Sequence, residues 1–262
     1  ALLDVIPQQP AARRIQVGTF KINPHGTRLG ERFVKKVFDH AIDNEAMEIY
    51  VTIFDYHDRL INLFKTYGFN RVADKISANG TEGVYFRKIH DLYKDPLRSY
   101  PLVNLNGTTP YLLALYPQWH TRLLPDSILH NESARIVQDI SHANSIHKVY
   151  LAALPGMQNL QPGDPLVIYR TGDNQGPAEY RAVATSICAI EEYRSIQSFS
   201  SVGNLINYCA PYSVFNGQEL QEIWLKGRFR HVIRFTYNIA LNRRIIRQRL
   251  ADEVGLDRSQ RW

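Results

Sequence analysis

Residues 13–69 set the architecture of the first part of the chain and read RRIQVGTFKINPHGTRLGERFVKKVFDHAIDNEAMEIYVTIFDYHDRLINLFKTYGF. Over residues 13–22, β-branched and aromatic side chains alternate roughly with polar ones, a pattern that predicts a strand. Pro24 and Gly26 break regular structure and predict a turn. After residue 28 the apolar side chains recur every three or four positions, which predicts an amphipathic helix.

The pattern then repeats as a second strand and a second helix. Residues 47–54 alternate in the manner of a strand with both faces covered. The apolar side chains of residues 57–67 recur at helical spacing. Gly68 follows them at the position where helices often end with a residue in the left-handed conformation. Asn79-Gly80 lies between two strand-like runs and predicts a hairpin. The predicted order is therefore strand, helix, strand, helix and two paired strands.

The turn before the first helix has the chemistry of an anion site. The first amides of a helix and its dipole both favour a phosphate group. Gly26 permits close approach of a ligand to the backbone, and His25 and Arg28 add positive charge. An ordinary strand–helix turn without a ligand explains the same residues, and the local pattern alone favours that interpretation.

Residues 13–89 resemble the second half of a GCN5-related N-acetyltransferase (GNAT) domain. In that family a central strand leads to a Q/R-x-x-G-x-G/A loop that holds the pyrophosphate of acetyl-CoA. With Gly30 at the last motif position, His25 takes the Q/R position and Arg28 the middle glycine. The resemblance implies acetyl-CoA contacts at Val17, Gly18, Thr19, Phe20, His25, Gly26, Thr27, Arg28, Leu29, Gly30 and His57.

The resemblance departs from the family pattern at the catalytic residues. The family often has an Asn early in the second helix and a Tyr four residues before the Gly-Phe pair. Here those positions hold His57 and Phe64. A phenyl ring cannot protonate a departing CoA thiolate, so the usual general acid is missing. Tyr67 is the nearby catalytic candidate, although a regular helix turns it about a quarter turn away.

The last third of the chain predicts a small β-barrel or curled sheet with short helices between its strands. The predicted strands are residues 148–154, 166–170, 180–193 and 229–235, and the predicted helices are residues 198–207, 217–226 and 242–254. The run PGDPLVIYRTGD followed by AVATSICAIEE resembles the PUA/ASCH/EVE-like pseudobarrels. That resemblance implies recognition of RNA, often at a modified or unpaired base.

Aromatic and arginine side chains of this part are the RNA-binding candidates, since aromatics stack on bases and arginines neutralise phosphates. The predicted contacts are Tyr169, Arg170, Arg228, Arg230, Arg243, Arg244 and Arg247, with Tyr193, Trp224 and Arg249 as further candidates. Core packing is the alternative for the aromatics and is favoured for Tyr169 and Trp224. The solvated face of a terminal helix is the alternative for the arginines after residue 242.

The composition of the whole chain limits the classes of protein to which it can belong. A hydrophobic content of 44% and a charged content of 21% are those of a folded globular chain. The net charge of +6 suggests a polyanionic partner such as RNA. No apolar run reaches bilayer length, so no membrane partner is predicted. Two cysteines, Cys188 and Cys209, indicate reduced thiols and a cytoplasmic location. No HExxH or paired CxxC motif predicts a metal site.

The expected fold is α+β (mixed α/β), with a partial GNAT-like βαβαββ sheet domain and a PUA-like β-barrel domain. The expected boundaries are an N-terminal segment (1–12), the GNAT-like second half (13–92), a connector (93–145) and the PUA-like domain (146–262). The resemblance also calls for further strands and helices before residue 13. A preceding portion or a partner chain would supply them, as in larger bacterial proteins that join a PIN-type nuclease, a GNAT-like and a PUA-like region.

Two functions follow as hypotheses. The first is an acetyl-CoA-dependent N-acetyltransferase, an acyltransferase that acts on an RNA-linked amine such as a charged or modified tRNA. The second is a non-catalytic RNA-binding protein in which the GNAT-like half is a scaffold.

Overall fold

The computed structural model describes residues 1–18, 20, 26–130, 132–136 and 140–259. The chain forms two compact units, Ala1–Leu102 and Val103–Trp262. Each unit contains one sheet together with helices, so the predicted mixed α/β class is confirmed. The units do not follow the predicted boundaries, because the N-terminal segment belongs to the first unit and the predicted connector is divided between the two.

The first unit has the predicted βαβαββ order, followed by one short helix. Its elements are β1 (Arg14–Val17), α1 (Leu29–Asp43), β2 (Glu48–Phe54), α2 (Asp58–Thr66), β3 (Asn70–Ser77), β4 (Gly80–Lys88) and α3 (Pro96–Ser99). The strand order is β1-β2-β4-β3, in which β1 and β2 are parallel and the other pairs are antiparallel. The predicted first strand is shorter than expected, and residues 19 and 21–25 lie outside the described residues.

Alternating burial along β2 and two glycine-containing turns account for the fold of the first unit. β2 buries Ile49, Val51 and Ile53 at every second position. Gly68 follows α2 with a φ of +82°, and a Cβ there would lie 2.6 Å from the carbonyl oxygen of Arg98, so only glycine fits. The predicted hairpin at Asn79-Gly80 is confirmed by the pairing of β3 with β4.

The N-terminal segment covers one face of the first sheet. Tyr50 alternates with the other buried residues of β2 and therefore points to the opposite face. There it packs in a cluster with Val5, Ala73 and Val84. The backbone of Ile6 pairs with that of Asp74. Residues 1–12 are thus part of the first unit.

Residues 93–102 also belong to the first unit rather than to a connector. Arg87 is 1% exposed and donates hydrogen bonds to the carbonyl groups of Lys88, Asp91, Ser99 and Tyr100. This single guanidinium fastens the segment after β4 to the sheet.

The second unit is built on a five-stranded sheet that curls into a half-barrel. Its elements are β5 (Tyr111–Leu115), α4 (Pro117–Leu123), α5 (Ser141–Asn144), β6 (His147–Ala152), β7 (Pro165–Arg170), α6 (Ala178–Arg181), β8 (Val183–Ser195), α7 (Val202–Cys209), α8 (Gly217–Lys226), β9 (His231–Ile246) and α9 (Arg247–Val254). The strand order is β5-β7-β8-β9-β6. Register shifts interrupt the β7–β8 and β8–β9 ladders, and such bulges increase local twist.

Two predictions in this unit need correction. The predicted connector (93–145) contains β5, which pairs in parallel with β7 and is part of the sheet. The predicted helix of residues 242–254 begins only at Arg247, because residues 242–246 continue β9. Ile245 and Ile246 pair with β8, and this cross-strand pairing overrides the helical spacing.

Within the described ranges, no helix is both long enough and apolar enough to cross a bilayer.

Candidate functional site

Two parallel strands of the first sheet lead toward the starts of α1 and α2. Among the described residues, β1 pairs with β2 from Arg14↔Glu48 to Val17↔Val51, and β2 continues to Phe54 with β4 as its partner. α1 and α2 each follow one of these strands, so the positive ends of both helix dipoles lie toward this side of the sheet. Open sheets bind ligands at such a crevice. We call residues 17, 18, 20, 26–30 and 54–58 the carboxyl edge.

The start of α1 provides backbone amides for an anion. Its N-cap residue Arg28 has a φ of 56°, Gly26 has a φ of 70°, and no described side chain caps the helix. A Cβ on Gly26 would meet no atom within 4 Å, so the adjacent space is open. Amides at the start of a helix bind anions, and here that of Glu31 already donates to the carbonyl group of Arg28 at 3.0 Å. Arg28 donates to Glu31 at 2.7 Å, which partly compensates its charge.

Aromatic rings lie at the carboxyl edge just before the second helix. His57 is the exposed N-cap residue of α2, and its ring lies 4.2 Å from that of Tyr56. Tyr56 is 72% exposed and stacks on Phe54 with ring centroids 5.4 Å apart.

The predicted cofactor contacts are distributed over this edge. Val17 is buried and Gly18 is exposed, while Thr27, Leu29 and Gly30 are half-buried at the start of α1. Thr19 and His25 lie outside the described residues. The structure therefore brings most of the predicted stretch to one edge and leaves the Q/R position of the motif undescribed.

Aromatic rings fill the position where the GNAT resemblance would put a general acid. Phe64 is fully buried and makes edge-to-face contacts with Phe20 and Phe69 at 5.3 and 4.8 Å. Phe20 also contacts Phe33 of α1 at 4.8 Å. Tyr67 is 1% exposed and packs against Tyr100. It follows the end of α2, about 14 Å along the helix axis from the first residue, so it does not belong to the carboxyl edge.

Two of the predicted RNA contacts are core residues in the second unit. Tyr169 is 1% exposed and packs with Ala182, Ala184 and Leu250. The alternative of core packing is thus confirmed for Tyr169. Arg170 is 4% exposed and pairs with Glu132 at 3.1 Å. We remove both side chains from the candidate RNA surface.

The other predicted arginines fall into two groups at opposite ends of β9. Arg228 and Arg230 precede the strand and are exposed, whereas the remaining candidates are Arg243, Arg244 and Arg247. Arg243 is exposed, while Arg244 is half-buried and donates to the carbonyl group of Ile128 at 3.3 Å. Burial lowers the pKa of Arg244. Arg247 donates to the carbonyl group of Arg258 at 2.9 Å. The candidates do not form one basic surface.

A groove of about 540 Å³ lies beside the first of these groups. We call it the Trp224 pocket, and its polar and aromatic lining comes from Ser195, Gln197, Trp224, Arg230 and His231. The Tyr193 hydroxyl lies 3.0 Å from Nδ1 of His231 and fixes that ring. Burial first, and Arg230 second, lower the pKa of His231, so the imidazole is neutral at pH 7.

Sequence reasoning did not select Ser195, Gln197 or His231. They come from two separate stretches, which the antiparallel pairing Ser195↔His231 brings together. The alternation of residues 229–235 predicted a strand around His231 but gave no means of assigning its face.

A buried polar network joins the half-barrel to residues 117–132. His120 Nε2 lies 2.8 Å from Thr185 Oγ1. The Ser127 hydroxyl lies 2.6 Å from that of Ser186 and 2.7 Å from that of Tyr237. All five side chains are no more than 1% exposed. Burial, aided by nearby arginines, lowers the pKa of His120 to about 3. These groups are sealed from solvent, and we assign them a structural role.

The same network contains the ion pair of Arg170. Thr121 lies 3.2 Å from His120 Nδ1 and donates to Glu132 at 2.7 Å. The amide of Leu129 donates to the same carboxylate at 2.9 Å. Glu132 is thereby held by a guanidinium, a hydroxyl and an amide.

Among the side chains that the structure describes, no group of three or more His, Cys, Asp or Glu residues is arranged to hold a metal ion. Comparisons with protein-family models, with curated proteins and with solved structures gave no match for this chain.

Proposed function

We propose that the first unit binds acetyl-CoA and that the protein transfers the acetyl group to an amine carried by RNA. The observation that carries the proposal is the backbone conformation at the start of α1, which follows β1 in the chain. There, Gly26 and Arg28 are left-handed, and the N-cap side chain of α1 makes no capping hydrogen bond. The βαβαββ order and the parallel β1–β2 pair support the GNAT-like interpretation of this unit.

In this proposal the backbone does most of the binding. The pyrophosphate lies over the amides of residues 26–30, where the helix dipole favours negative charge. The extended arm of the cofactor lies along the carboxyl end of β1, past Val17 and Gly18. Residues 52–54 of β2 follow the last described β1–β2 pair and would be the neighbouring backbone for that arm.

The chemistry is direct attack of a neutral amine on the thioester carbonyl carbon. A C–N bond forms, the C–S bond breaks, and the thiolate leaves while the nitrogen loses a proton to water. Phe20 and Phe64 offer no proton donor, so in this proposal most of the catalysis comes from orientation of the amine and the thioester. Orientation alone contributes up to roughly 7–11 kcal/mol in favourable systems.

The RNA part of the proposal rests on the second unit. Arg228, Arg230 and Arg243 are exposed, and the chain carries a net charge of +6. Exposed guanidinium groups neutralise phosphates and release counterions. The PUA-like interpretation of the half-barrel is part of the same proposal.

Replacing Gly26 by valine is expected to weaken acetyl-CoA binding at least about tenfold, which corresponds to about 1.4 kcal/mol. A β-branched side chain disfavours the left-handed conformation by roughly 1–2 kcal/mol and adds atoms to the open space. Calorimetric titration of acetyl-CoA into the chain measures the effect.

Gly156→Val is the matched control for this titration. Gly156 has a φ of +86°, and a Cβ there also meets no atom within 4 Å, but it lies in the second unit. We expect it to bind acetyl-CoA as the unmodified chain does. Absence of acetyl-CoA binding in the unmodified chain would contradict the proposal. Equal affinity in Gly26→Val and Gly156→Val would exclude this loop as the site.

A second candidate function is non-catalytic RNA binding with the first unit as a scaffold. The aromatic contacts of Phe20 with Phe33 and Phe64 favour it, because these phenyl rings occupy the carboxyl edge beside the start of α1 without offering a proton donor. Incubation with labelled acetyl-CoA and mixed tRNA separates the two functions. Acetyl transfer that Gly26→Val abolishes supports the enzyme, whereas RNA binding without transfer supports the scaffold.

A further inference from the structure

The Trp224 pocket combines a flat aromatic surface with positive charge. The indole of Trp224 comes from α8 and is partly buried against the core. Arg230 and His231 come from the start of β9, and Gln197 comes from the segment that follows β8. Its volume of about 540 Å³ lies within the range of roughly 300–1,000 Å³ that is usual for small-ligand sites.

The charge of the pocket has one sign. No acidic side chain is among the described residues that line it. Within the described part of the chain, Arg228 and Arg230 form no ion pair with a carboxylate. The guanidinium group of Arg230 in the lining and that of Arg228 nearby are therefore not neutralised by a described carboxylate, and arginine binds phosphate in a bidentate manner.

The remaining polar groups suit the edge of a planar ring. Gln197 carries an amide with both donors and an acceptor and is exposed. Tyr193 occupies Nδ1 of His231, which leaves Nε2 as the ring's second polar atom. A base stacked on an aromatic side chain and bonded at its edge is the common mode of single-stranded RNA recognition.

We propose that the Trp224 pocket holds one nucleotide of single-stranded RNA, with the base against Trp224 and the phosphate against Arg230. The proposal rests on the RNA-binding part of the proposed function and identifies its site. Arg243, at the far end of β9, is not part of this pocket. A free mononucleotide has the same chemistry, and the experiment separates the two sources.

The main test adds one negative charge to the pocket without disturbing the core. Gln197 is exposed, so Gln197→Glu leaves the fold intact and repels a phosphate. We expect it to weaken binding of fluorescein-labelled oligoadenylate and oligouridylate at least about fivefold, as measured by fluorescence anisotropy. Gln218→Glu adds the same charge at an exposed position of α8 outside the lining and is expected to change affinity less than twofold.

Arginine removal gives an independent measure. Arg230→Gln is expected to lower the slope of log affinity against log salt by about 0.7, the value for one lost phosphate contact on single-stranded RNA. Arg135→Gln removes an exposed arginine elsewhere in the second unit and is expected to leave the slope unchanged.

Loss of the indole tests stacking. Trp224→Leu is expected to weaken RNA binding by about 5–100-fold. Tyr180→Leu, which removes an aromatic ring that is 61% exposed, is expected to have no effect. Thermal melting checks that Trp224→Leu is folded. If it is not, Gln197→Glu and Arg230→Gln test whether the Trp224 pocket binds RNA.

Each outcome supports or overturns the assignment. RNA binding that none of the three pocket variants weakens would overturn the pocket while leaving RNA binding by the protein intact. Binding of adenosine monophosphate without oligonucleotide binding would overturn RNA as the source of the base. Absence of binding to either would remove the RNA part of the proposed function, while the acetyl-CoA titration would still stand.

Discussion

Replacing Arg170 by methionine is expected to lower the free energy of unfolding of the second unit by about 3–5 kcal/mol. The Arg170 and Glu132 side chains are only 5% and 10% exposed, and their charged atoms lie 3.1 Å apart. Methionine fills similar space but leaves the Glu132 carboxylate buried without its counter-charge. Breaking a buried pair in this way costs more than the pair itself contributes.

Urea unfolding followed by tryptophan fluorescence measures this effect in the second unit. The three tryptophans, Trp119, Trp224 and Trp262, all belong to the second unit. The control is Arg249→Met, which breaks the Arg249–Glu253 pair, whose side chains are 42% and 55% exposed. We expect that variant to lose far less stability than Arg170→Met, because solvent screens an exposed ion pair.

A double variant separates the lost charge from the lost packing. Combining Arg170→Met with Glu132→Leu removes both charges, and we expect much of the lost stability to return. Equal destabilisation in Arg170→Met and Arg249→Met would show that the buried pair contributes no more than a surface pair.

The second unit is expected to lose stability as the pH falls below about 6.5, and His120→Gln is expected to remove a large part of that loss. The pKa of His120 is about 3 in the folded chain, against about 6.5 for an unperturbed histidine. Between these values the unfolded chain binds a proton that the folded chain does not, so acid favours unfolding.

The size of the effect follows from the slope of about 1.36 kcal/mol per pH unit for one proton. From pH 7 to pH 5, His120 therefore accounts for about 2 kcal/mol. His142, whose pKa burial lowers to about 4, acts with the same sign but is present in both proteins. The measured quantity is the change in unfolding free energy between pH 7 and pH 5, taken as unmodified chain minus variant.

His130→Gln is the control, because His130 is exposed. It is expected to keep the full pH dependence of the unmodified chain. If His120→Gln also keeps that dependence, the imidazole accepts a proton without unfolding the unit, and the interior is more open than the contacts of His120 indicate.

The local sequence pattern predicted the elements of the first unit well, because these elements depend on residues that are close together in the sequence. The second predicted strand and helix match β2 and α2 within one residue at each end. The glycine cap at Gly68 and the hairpin at Gly80 depend on only a few neighbouring residues. The covering of Tyr50 by Val5 was not predictable, because it depends on a contact between distant segments.

In the second unit, the local sequence pattern did not predict every element or which distant residues meet. Residues 242–246 have helical spacing in the sequence, yet they continue β9, and Ile245 and Ile246 pair with β8. That change puts neighbouring arginines on opposite faces, so Arg243 is exposed while Arg244 is half-buried. The Trp224 pocket and the buried polar network unite residues from distant segments, and no local rule identifies such partners.

The position of β9 in the sheet has a consequence for how the protein is made. β6 is buried along its whole length, and its neighbour in the described sheet is β9. β6 ends at Ala152, whereas β9 begins at His231. During synthesis, an apolar strand therefore leaves the ribosome long before its partner exists. Such a strand is exposed to aggregation while it is unpaired, so the sheet of the second unit can be completed only after the last third of the chain has been made.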